Sequence, residues 1–218
     1  RITIAVTRED GKNGKLIKKI KDNQDLYSQI ELLELPCIEH ASGPDYDNLE
    51  STLKSKKWDY VAITSPEAAK VVASAWDGVR DDPPPVVAVG KATEKALEGF
   101  GIDVTFVPSK ATAETLAAEL ELKGGEGTTT TLLYPASAKA KKTLQSGLEA
   151  RGFGVTRLNT YDTVTANWSN KQKEDARNVK IACIASPSSI KGWLQNTDNN
   201  NSVVAACIGE TSYKACKG

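Results

Sequence analysis

The sequence contains no methionine and only one histidine, His40, among its 218 residues. One histidine excludes zinc sites built from several histidines and leaves a single candidate base for a Ser-His-Asp triad. Lysine plus arginine and aspartate plus glutamate both number 28, so the formal net charge is +0. We therefore expect no nucleic-acid partner and no global attraction to an anionic membrane, and any polyanionic ligand must be held by local groups.

Other absences narrow the class of protein further. No apolar run approaches the roughly 20 residues that a membrane-spanning helix needs, and neither common glycine-rich phosphate-binding motif occurs. Because the chain opens at Arg1 directly on a strand-like run, we expect that an initiator and any targeting leader have been removed. The cysteines show no C-x-x-C spacing, and we interpret them as reduced intracellular thiols, with a disulfide or metal site as the alternative. They are Cys37, Cys183, Cys207 and Cys216.

Short β-rich apolar runs alternate with helical patterns along the chain, which predicts an α/β protein with parallel sheets. The predicted strands are residues 2–7, 60–63, 86–89, 104–107, 130–134, 181–185 and 203–208. The predicted helices are residues 47–57, 66–76, 93–100, 112–123, 138–151 and 188–194. Two extended runs, 29–40 and 155–164, are longer than one strand of a small sheet requires.

An internal repeat indicates two similar domains. A strand followed by Ser-Pro and a helix occurs at Ser65 and again at Ser186, and each copy is followed by a Gly-x-x-Thr/Ser helix start, at Gly90 and Gly209. The first strand lies far upstream of the second copy, so one domain is predicted to be inserted into the other. The predicted parts are domain 1, residues 1–38 plus 164–218; domain 2, residues 42–157; and two inter-domain linkers, residues 36–42 and 156–165.

Polar side chains cluster where predicted strands end and helices begin. In open α/β sheets ligands bind at that edge, because helix N-termini offer unpaired N–H groups. Serine before proline is also common at the start of a helix, with serine as the N-cap, so each serine alone can be a cap that binds no ligand. Together these helix starts predict an anion-binding site formed largely by backbone N–H groups. The candidate binding residues are Arg8, Thr64, Ser65, Thr93, Ser137, Ser186, Ser188, Thr211 and Ser212.

Further candidates have structural alternatives. Arg8 follows the first strand and can pair bidentately with a carboxylate, or be an exposed loop arginine. Tyr161 lies in the second extended run, which is expected to cross from one domain into the other. Its phenol can act there as a donor or weak acid, or only pack between the inter-domain strands. His40 is interpreted as structural or exposed. A lysine run is interpreted as a solvated helix face: Lys139, Lys141 and Lys142.

Seven short motifs, taken in order, resemble those of the uroporphyrinogen-III synthase family. The likeness extends from the first strand to the last residue, and although each motif alone is weak, their joint order, spacing and interrupted-domain layout are specific. The motifs are Val6-Thr-Arg8, Ile63-Thr-Ser-Pro66, Val89-Gly-x-x-Thr93, Leu133-Tyr-Pro135, Thr160-Tyr-x-Thr163, Ser186-Pro-Ser188 and Ile208-Gly-x-Thr-Ser212.

The resemblance implies a cofactor-free, metal-free lyase of tetrapyrrole (haem and chlorophyll) biosynthesis. Its fold would be two flavodoxin-like, Rossmann-like parallel-sheet domains joined by a two-stranded antiparallel linker. Its substrate would be hydroxymethylbilane, a linear polycarboxylate. Loss of the terminal hydroxyl gives an azafulvene, ring D attacks through its substituted carbon, and the spiro intermediate recloses with ring D inverted. Since unaided closure gives the type I isomer, conformational restraint should dominate catalysis.

The resemblance also assigns roles to residues. Tyr161 matches the tyrosine that assists departure of the hydroxyl, and five residues match cleft hydroxyls: Ser65, Thr93, Ser186, Thr211 and Ser212. It implies a monomer with transient contacts to neighbouring pathway enzymes, in the plastid stroma if the source is a plant and otherwise in the cytoplasm. The family usually continues with another strand and a closing helix, so we expect either a trimmed C-terminus or an incomplete domain 1.

Two other functions remain open at this point. The first is a non-enzymatic, two-domain hinged α/β protein that binds a small ligand. Such a protein would have the same strands crossing between its domains and the same inter-domain cleft as the synthase family. The second is an interaction module built from flavodoxin-like domains, which predicts no convergence of polar groups in the cleft.

Overall fold

The computed structural model describes residues 1–124, 127–199 and 202–217. The chain divides into two compact units, unit 1 from Arg1–His40 with Thr163–Gly218 and unit 2 from Ala41–Asp162. Within the described ranges, no helix has the length and apolar character to cross a membrane.

Strands and helices alternate through most of the chain, as an α/β fold requires. The strands are β1 Ile2–Val6, β2 Ile30–Glu34, β3 Ile38–Ser42, β4 Tyr60–Ile63, β5 Val86–Ala88, β6 Val104–Phe106, β7 Thr131–Ser137, β8 Gly154–Thr165, β9 Ile181–Ile184 and β10 Val204–Cys207. The α-helices are α1 Gly14–Asp22, α2 Gln24–Gln29, α3 Leu49–Lys54, α4 Pro66–Ala75, α5 Lys91–Glu98, α6 Ala113–Glu119, α7 Thr143–Glu149, α8 Asn170–Ala176, α9 Pro187–Asn196 and α10 Glu210–Lys217. Two short 3-10 helices are Tyr46–Asn48 and Trp76–Val79.

Unit 1 is built on a parallel sheet in the order β10-β9-β1-β2. Strand β1 has β2 on one side and the later strands β9 and β10 on the other, so the strand order reverses between β1 and β9. The core of this unit includes Ala5, Ala182 and Ile184 from the central strands, with Trp168 and Trp193 packed edge to face at a ring-centroid distance of 5.4 Å.

The second sheet has the order β3-β8-β7-β4-β5-β6, and the pairs from β8 to β6 are parallel. Its order reverses between β4 and β7, because β5 and β6 follow β4 on one side while β7 and β8 lie on the other. Every residue of β4 is buried. Val61 and Ile63 point into one hydrophobic cluster, and Tyr60 and Ala62 into another, which is the two-sided burial expected of a central strand.

The α/β fold class with parallel sheets is confirmed, but the extended run 29–40 is not one strand. Residue 29 ends α2, and the rest is split between β2 and β3. Pro36 lies between these strands and has no N–H to continue a ladder. The flanking Leu35 and Cys37 still donate backbone hydrogen bonds to the carbonyls of Val6 and Thr7.

The predicted helix 138–151 is wrong in its first turn and a half, since α7 begins only at Thr143. Three further helices, α1, α2 and α8, had no predicted counterpart. The signal for α1 was present, because Leu16, Ile17 and Ile20 recur at helical spacing. None of the residues of α1 is buried.

Burial of Cys37 should make the free energy of unfolding of unit 1 fall at alkaline pH. Its side chain has 0% exposure, and burial raises the pKa of the thiol from 9.0 to about 12. The unfolded chain therefore loses this proton at a lower pH than the folded chain. The contribution of the thiol to the free energy of unfolding is fully present below pH 9, and it is lost, by at most about 4 kcal/mol, as the pH rises toward 12. We expect the free energy of unfolding of Cys37→Ala, measured in urea from pH 8 to pH 11, to fall less steeply with pH than that of the natural chain.

Candidate functional site

The strand order of unit 2 reverses where predicted site residues meet. Ligands of open parallel sheets bind outside the carboxyl ends of the strands at such a reversal. Thr64 and Ser65 follow β4, and Ser137 ends β7. Tyr161 lies opposite Ser137 in the register of β7 and β8. We call the carboxyl ends of β4 and β7, together with the residues of β8 beside them, the unit 2 edge.

Tyr161 and Ser65 are in direct contact at the unit 2 edge. The phenol oxygen lies 2.7 Å from Ser65 Oγ, and the same Oγ accepts the backbone N–H of Ala68 at 3.0 Å as the N-cap of α4. Ser65 therefore caps the helix and binds the phenol at once. The two interpretations of this serine from the sequence, helix cap or site residue, therefore do not exclude each other.

The surroundings of Tyr161 keep its phenol protonated. The side chain is 7% exposed and belongs to a hydrophobic cluster of unit 2. Burial raises the pKa of the phenol above its ordinary 10.0, while the hydrogen bond with Ser65 lowers it and the nearby Tyr134 and Glu67 raise it. A neutral phenol can donate its proton but is a poor base near neutral pH.

Thr64 and Thr93 differ in accessibility. Thr64 is half-buried, and its Oγ1 lies 3.5 Å from the hydroxyl of Tyr134. Thr93 lies in the first turn of α5, which begins at Lys91, two residues before the predicted start, and it is 3% exposed, so its hydroxyl is turned into the protein. Gly90, just before this helix, is packed so closely that an added Cβ would lie 2.7 Å from Ala111 Cβ.

The lysine run after Ser137 is not a helix face, which corrects the sequence interpretation of Lys139 and Lys141. This segment forms a turn whose backbone N–H groups bond to the end of β7 and to β8 instead of within a helix. The N–H of Ala138 donates to the carbonyl of Tyr161 at 2.8 Å, and the N–H of Lys139 donates to Ser137 Oγ at 3.2 Å. Lys142 is the N-cap residue of α7.

Arg157 holds this turn and was missed by the sequence reasoning. Its Nη2 donates to the carbonyls of Ser137 at 3.1 Å and Ala140 at 3.0 Å, and its Nε donates to Asn159 Oδ1 at 3.1 Å. Nη1 is buried and has no hydrogen-bond partner among the described residues. The side chain thus fixes the end of β7 beside Tyr161. An arginine inside a β-rich run carries no sequence signal for such a role.

Gly43 and Asp45 were also missed, and they hold β8 in place just before Tyr161. Gly43 N–H donates to the carbonyl of Thr160 at 3.0 Å, and Asp45 Oδ2 accepts the N–H of Asn159 at 2.8 Å. Gly43 lies so close to β8 that an added Cβ would be 2.8 Å from the backbone nitrogen of Tyr161. A glycine at the end of a strand was the signal available.

The reversal of strand order in unit 1 is flanked by the other predicted residues. Arg8 is exposed and lies two residues beyond β1, while Ser186 follows β9. Thr7 Oγ1 bridges the reversal by donating to the carbonyl of Cys183 at 2.7 Å. The guanidinium of Arg8 is therefore placed where it can pair with a carboxylate.

Ser186 repeats the capping geometry of Ser65, as the internal repeat predicts. Its Oγ accepts the N–H of Ser189 at 3.1 Å and lies 3.0 Å from Ser189 Oγ. Pro187 begins α9 and Ser188 is exposed. Ser186 is half-buried, and Ser188 presents its hydroxyl to solvent.

Residues in the first turn of α10 and around His40 complete the predicted set in unit 1. Thr211 is exposed, whereas Ser212 is 3% exposed. His40 is neither isolated nor fully exposed, since its Nδ1 lies 3.3 Å from Thr163 Oγ1 and its Nε2 lies 3.5 Å from Glu9 Oε1. These contacts fit the structural interpretation of His40.

Removing the hydroxyl of Ser65 should lower stability by more than loss of a cap alone. We expect Ser65→Ala to lower the free energy of unfolding by about 2 kcal/mol, since it removes an N-cap and a partly buried hydrogen bond. Thr112→Ala is the matched control, because Thr112 caps α6 through Thr115 N–H without a phenol contact. We expect about 1 kcal/mol there. Equal losses in urea titrations would show that the contact with Tyr161 contributes nothing.

The unit 2 edge and the strand ends of unit 1 between β1 and β9 offer hydroxyl, backbone N–H and guanidinium donors rather than metal ligands. Among the described residues, no group of three or more histidine, cysteine, aspartate or glutamate side chains is placed to hold a metal ion. Such donors can bind carboxylates, and the protonated phenol of Tyr161 can hydrogen-bond a departing oxygen.

Comparisons with known proteins show what the chain as a whole is similar to. A family model described as uroporphyrinogen-III synthase HemD matches residues 27–218. The chloroplastic uroporphyrinogen-III synthase of Oryza sativa subsp. japonica is 40% identical over 224 residues, covering 98% of this chain and 72% of the rice protein.

Solved structures share the fold. A mutant uroporphyrinogen III synthase from the bacterium Thermus thermophilus superposes with a TM-score of 0.58 at 15% identity, covering 100% of this chain and 88% of that one. Uroporphyrinogen-III synthetase from Helicobacter pylori gives a TM-score of 0.61 at 16% identity, with 97% and 86% covered. At such low identity the likeness shows the fold alone.

Proposed function

Because this chain belongs to the uroporphyrinogen-III synthase family, we propose that it converts hydroxymethylbilane into uroporphyrinogen III, with ring D inverted. It is an enzyme of tetrapyrrole biosynthesis. The finer assignment as a lyase follows from the chemistry, since ring closure eliminates the terminal hydroxyl as water. The bilane passes through an azafulvene and a spiro intermediate.

The contact between Tyr161 and Ser65 carries the proposal for the reaction. The phenol lies at the reversal of strand order in unit 2 and is protonated near neutral pH. Tyr161 is proposed to donate a hydrogen bond to the departing hydroxyl of ring A. Ser65 orients the phenol, and Arg157 fixes the neighbouring turn.

Binding groups are proposed to grip the carboxylates of the bilane. Exposed or half-buried members of the predicted set suit direct contact, namely Arg8, Thr64, Ser137, Ser186, Ser188 and Thr211. Thr93 and Ser212 are buried, so we assign them to supporting helix starts. A bilane restrained by several such contacts can adopt the bent geometry that spiro attack requires.

The two units are proposed to act as the two domains of this enzyme, residues 1–38 plus 164–218 and residues 42–157, with linkers 36–42 and 156–165 in antiparallel pairing. Action as a monomer and transient contacts with neighbouring pathway enzymes stay predictions. The rice relative is chloroplastic, which supports the plastid stroma for a plant chain; for any other source we propose the cytoplasm.

The test is the isomer ratio of the product. Freshly prepared hydroxymethylbilane is added to the purified protein, the product is oxidised to porphyrin, and the type I and type III isomers are separated by chromatography. The proposal expects mostly type III. Type I alone, from protein whose circular dichroism shows it to be folded, would favour the non-enzymatic ligand-binding alternative.

A further inference from the structure

Two cysteine sulfurs lie close together at one end of unit 1. Cys207 ends β10 and Cys216 lies in α10, nine positions later, with the two Sγ atoms 3.5 Å apart. Cys207 is half-buried and Cys216 is exposed, so small reagents can reach the pair. Both cysteines are reduced in the structure.

We propose that Cys207 and Cys216 form a reversible disulfide, a modification site in unit 1. A disulfide has an S–S length of about 2.0 Å, so the sulfurs need to approach by about 1.5 Å. The other thiols are poorer candidates, since Cys37 is buried within unit 1 and Cys183 lies inside the sheet on β9.

The disulfide would close a loop that contains predicted site residues. Thr211 and Ser212 lie between the two cysteines, in the first turn of α10. Closing the loop ties α10 to the end of β10 and restricts the motion of both hydroxyls. Formation of the bond does not depend on the proposed function, whereas any consequence for substrate binding rests on it.

The oxidation balances with a small disulfide such as glutathione disulfide as the electron acceptor. One cysteine thiolate attacks a sulfur of glutathione disulfide and releases one glutathione thiolate, giving a mixed disulfide. The second cysteine attacks the protein sulfur of that mixed disulfide and releases the second glutathione. The pair loses two electrons and two protons, and two glutathione thiols form. A dithiol reductant reverses the sequence.

Trypsin makes the bond easy to detect, because Lys214 lies between the two cysteines. Cleavage after Lys191, Lys214 and Lys217 places each cysteine in its own peptide, residues 192–214 and 215–217. The reduced protein is incubated with glutathione disulfide, remaining thiols are alkylated, and the digest is analysed by mass spectrometry. We expect these two peptides to be linked, half of the four cysteines to escape alkylation, and dithiothreitol to reverse both effects.

Single variants identify the partners. Cys207→Ser and Cys216→Ser should abolish the link, while Cys183→Ser, the matched control, should retain it. Amide exchange of residues 208–217 should slow on oxidation in the natural chain and in Cys183→Ser only. Glutathione adducts without a link, a link to Cys183, or a link only between two chains would each overturn the proposal. Because no readout uses the bilane, failure here is distinguishable from failure of the proposed function.

Discussion

Replacing Tyr161 with phenylalanine is expected to lower kcat for uroporphyrinogen III by about 10²-fold, the lower end of what a positioned proton donor contributes. The lower end applies because the hydroxyl of the bilane departs readily without help. KM should change little, since the ring remains and the carboxylates are held by other groups. The measurement is initial rate and isomer ratio with fresh hydroxymethylbilane, where a rising share of type I reports bilane that closes unaided.

The pH profile of Tyr161→Phe follows from the protonation state of the phenol. Burial holds the pKa of Tyr161 above 10.0, so the protonated form persists beyond the pH at which an ordinary phenol ionises. The rate in the natural chain should therefore show no fall attributable to this phenol below pH 10. Tyr161→Phe should lose rate by the same factor throughout that range, because the missing proton is never supplied.

Tyr60→Phe is the matched control for this variant. Tyr60 is also buried, at 6% exposure, but it lies at the start of β4, the opposite end of that strand from Ser65. Burial raises the pKa of its phenol too, with smaller contributions from Glu121 and Asp59, so both phenols are buried and stay protonated near neutral pH, while only Tyr161 contacts Ser65. Tyr60→Phe should keep the kcat of the natural chain. Natural kcat and isomer ratio in folded Tyr161→Phe would remove this tyrosine from the mechanism.

The candidate site residues that sequence reasoning proposed share one property. Each lies in a local sequence pattern, either a helix start or an extended run, that recurs along the chain and is visible without knowing which distant residues it contacts. These residues are Ser65, Ser186, Thr211 and Tyr161. Capping is also local chemistry, since an N-cap serine bonds to an N–H two or three positions later. Local patterns of this kind also located most strands to within one or two residues.

What could not be predicted depends on register between distant segments. Arg157 acts on a turn 17 to 20 positions away in the sequence, and Gly43 meets β8 across more than a hundred residues. The turn at Lys139 was read as helix because its composition suits a helix, whereas the carbonyls of Ser137 and Ala140 are bound by Arg157. Tertiary hydrogen bonds override helix propensity there, and one sequence carries no sign of them.

Gly43→Ala tests the strongest of these long-range restraints. An alanine Cβ at this position would overlap the backbone carbonyl of Asn159 and lie 2.8 Å from the nitrogen of Tyr161. Both atoms belong to the backbone of β8, so no side chain can rotate away, and the backbone of β8 or of residue 43 must shift. We expect the free energy of unfolding to fall by about 3 kcal/mol, the upper part of the range for overpacking. Urea titration followed by tryptophan fluorescence measures it.

The same shift should reach the reaction. Moving β8 at residues 159–161 changes where the Tyr161 phenol meets Ser65, a contact only 2.7 Å long. A small domain has about 5–15 kcal/mol of stability, so Gly43→Ala should remain folded at 25 °C, where its activity can be measured. We expect its product to contain more type I isomer than that of the natural chain, even when the rate is expressed per folded molecule.

Gly99→Ala separates this close approach from a general effect of replacing glycine. Gly99 follows α5 in the same unit, and an added Cβ there would make only ordinary contact, with Ala96 O at 3.4 Å. It should change neither the urea midpoint nor the isomer ratio appreciably. If Gly43→Ala matched it in both measurements, β8 would tolerate the displacement, and the position of Tyr161 would have to be set by Ser65 and Asp45 instead. If only Gly43→Ala lost stability and type III product together, the strand that carries the phenol would be the element that positions it.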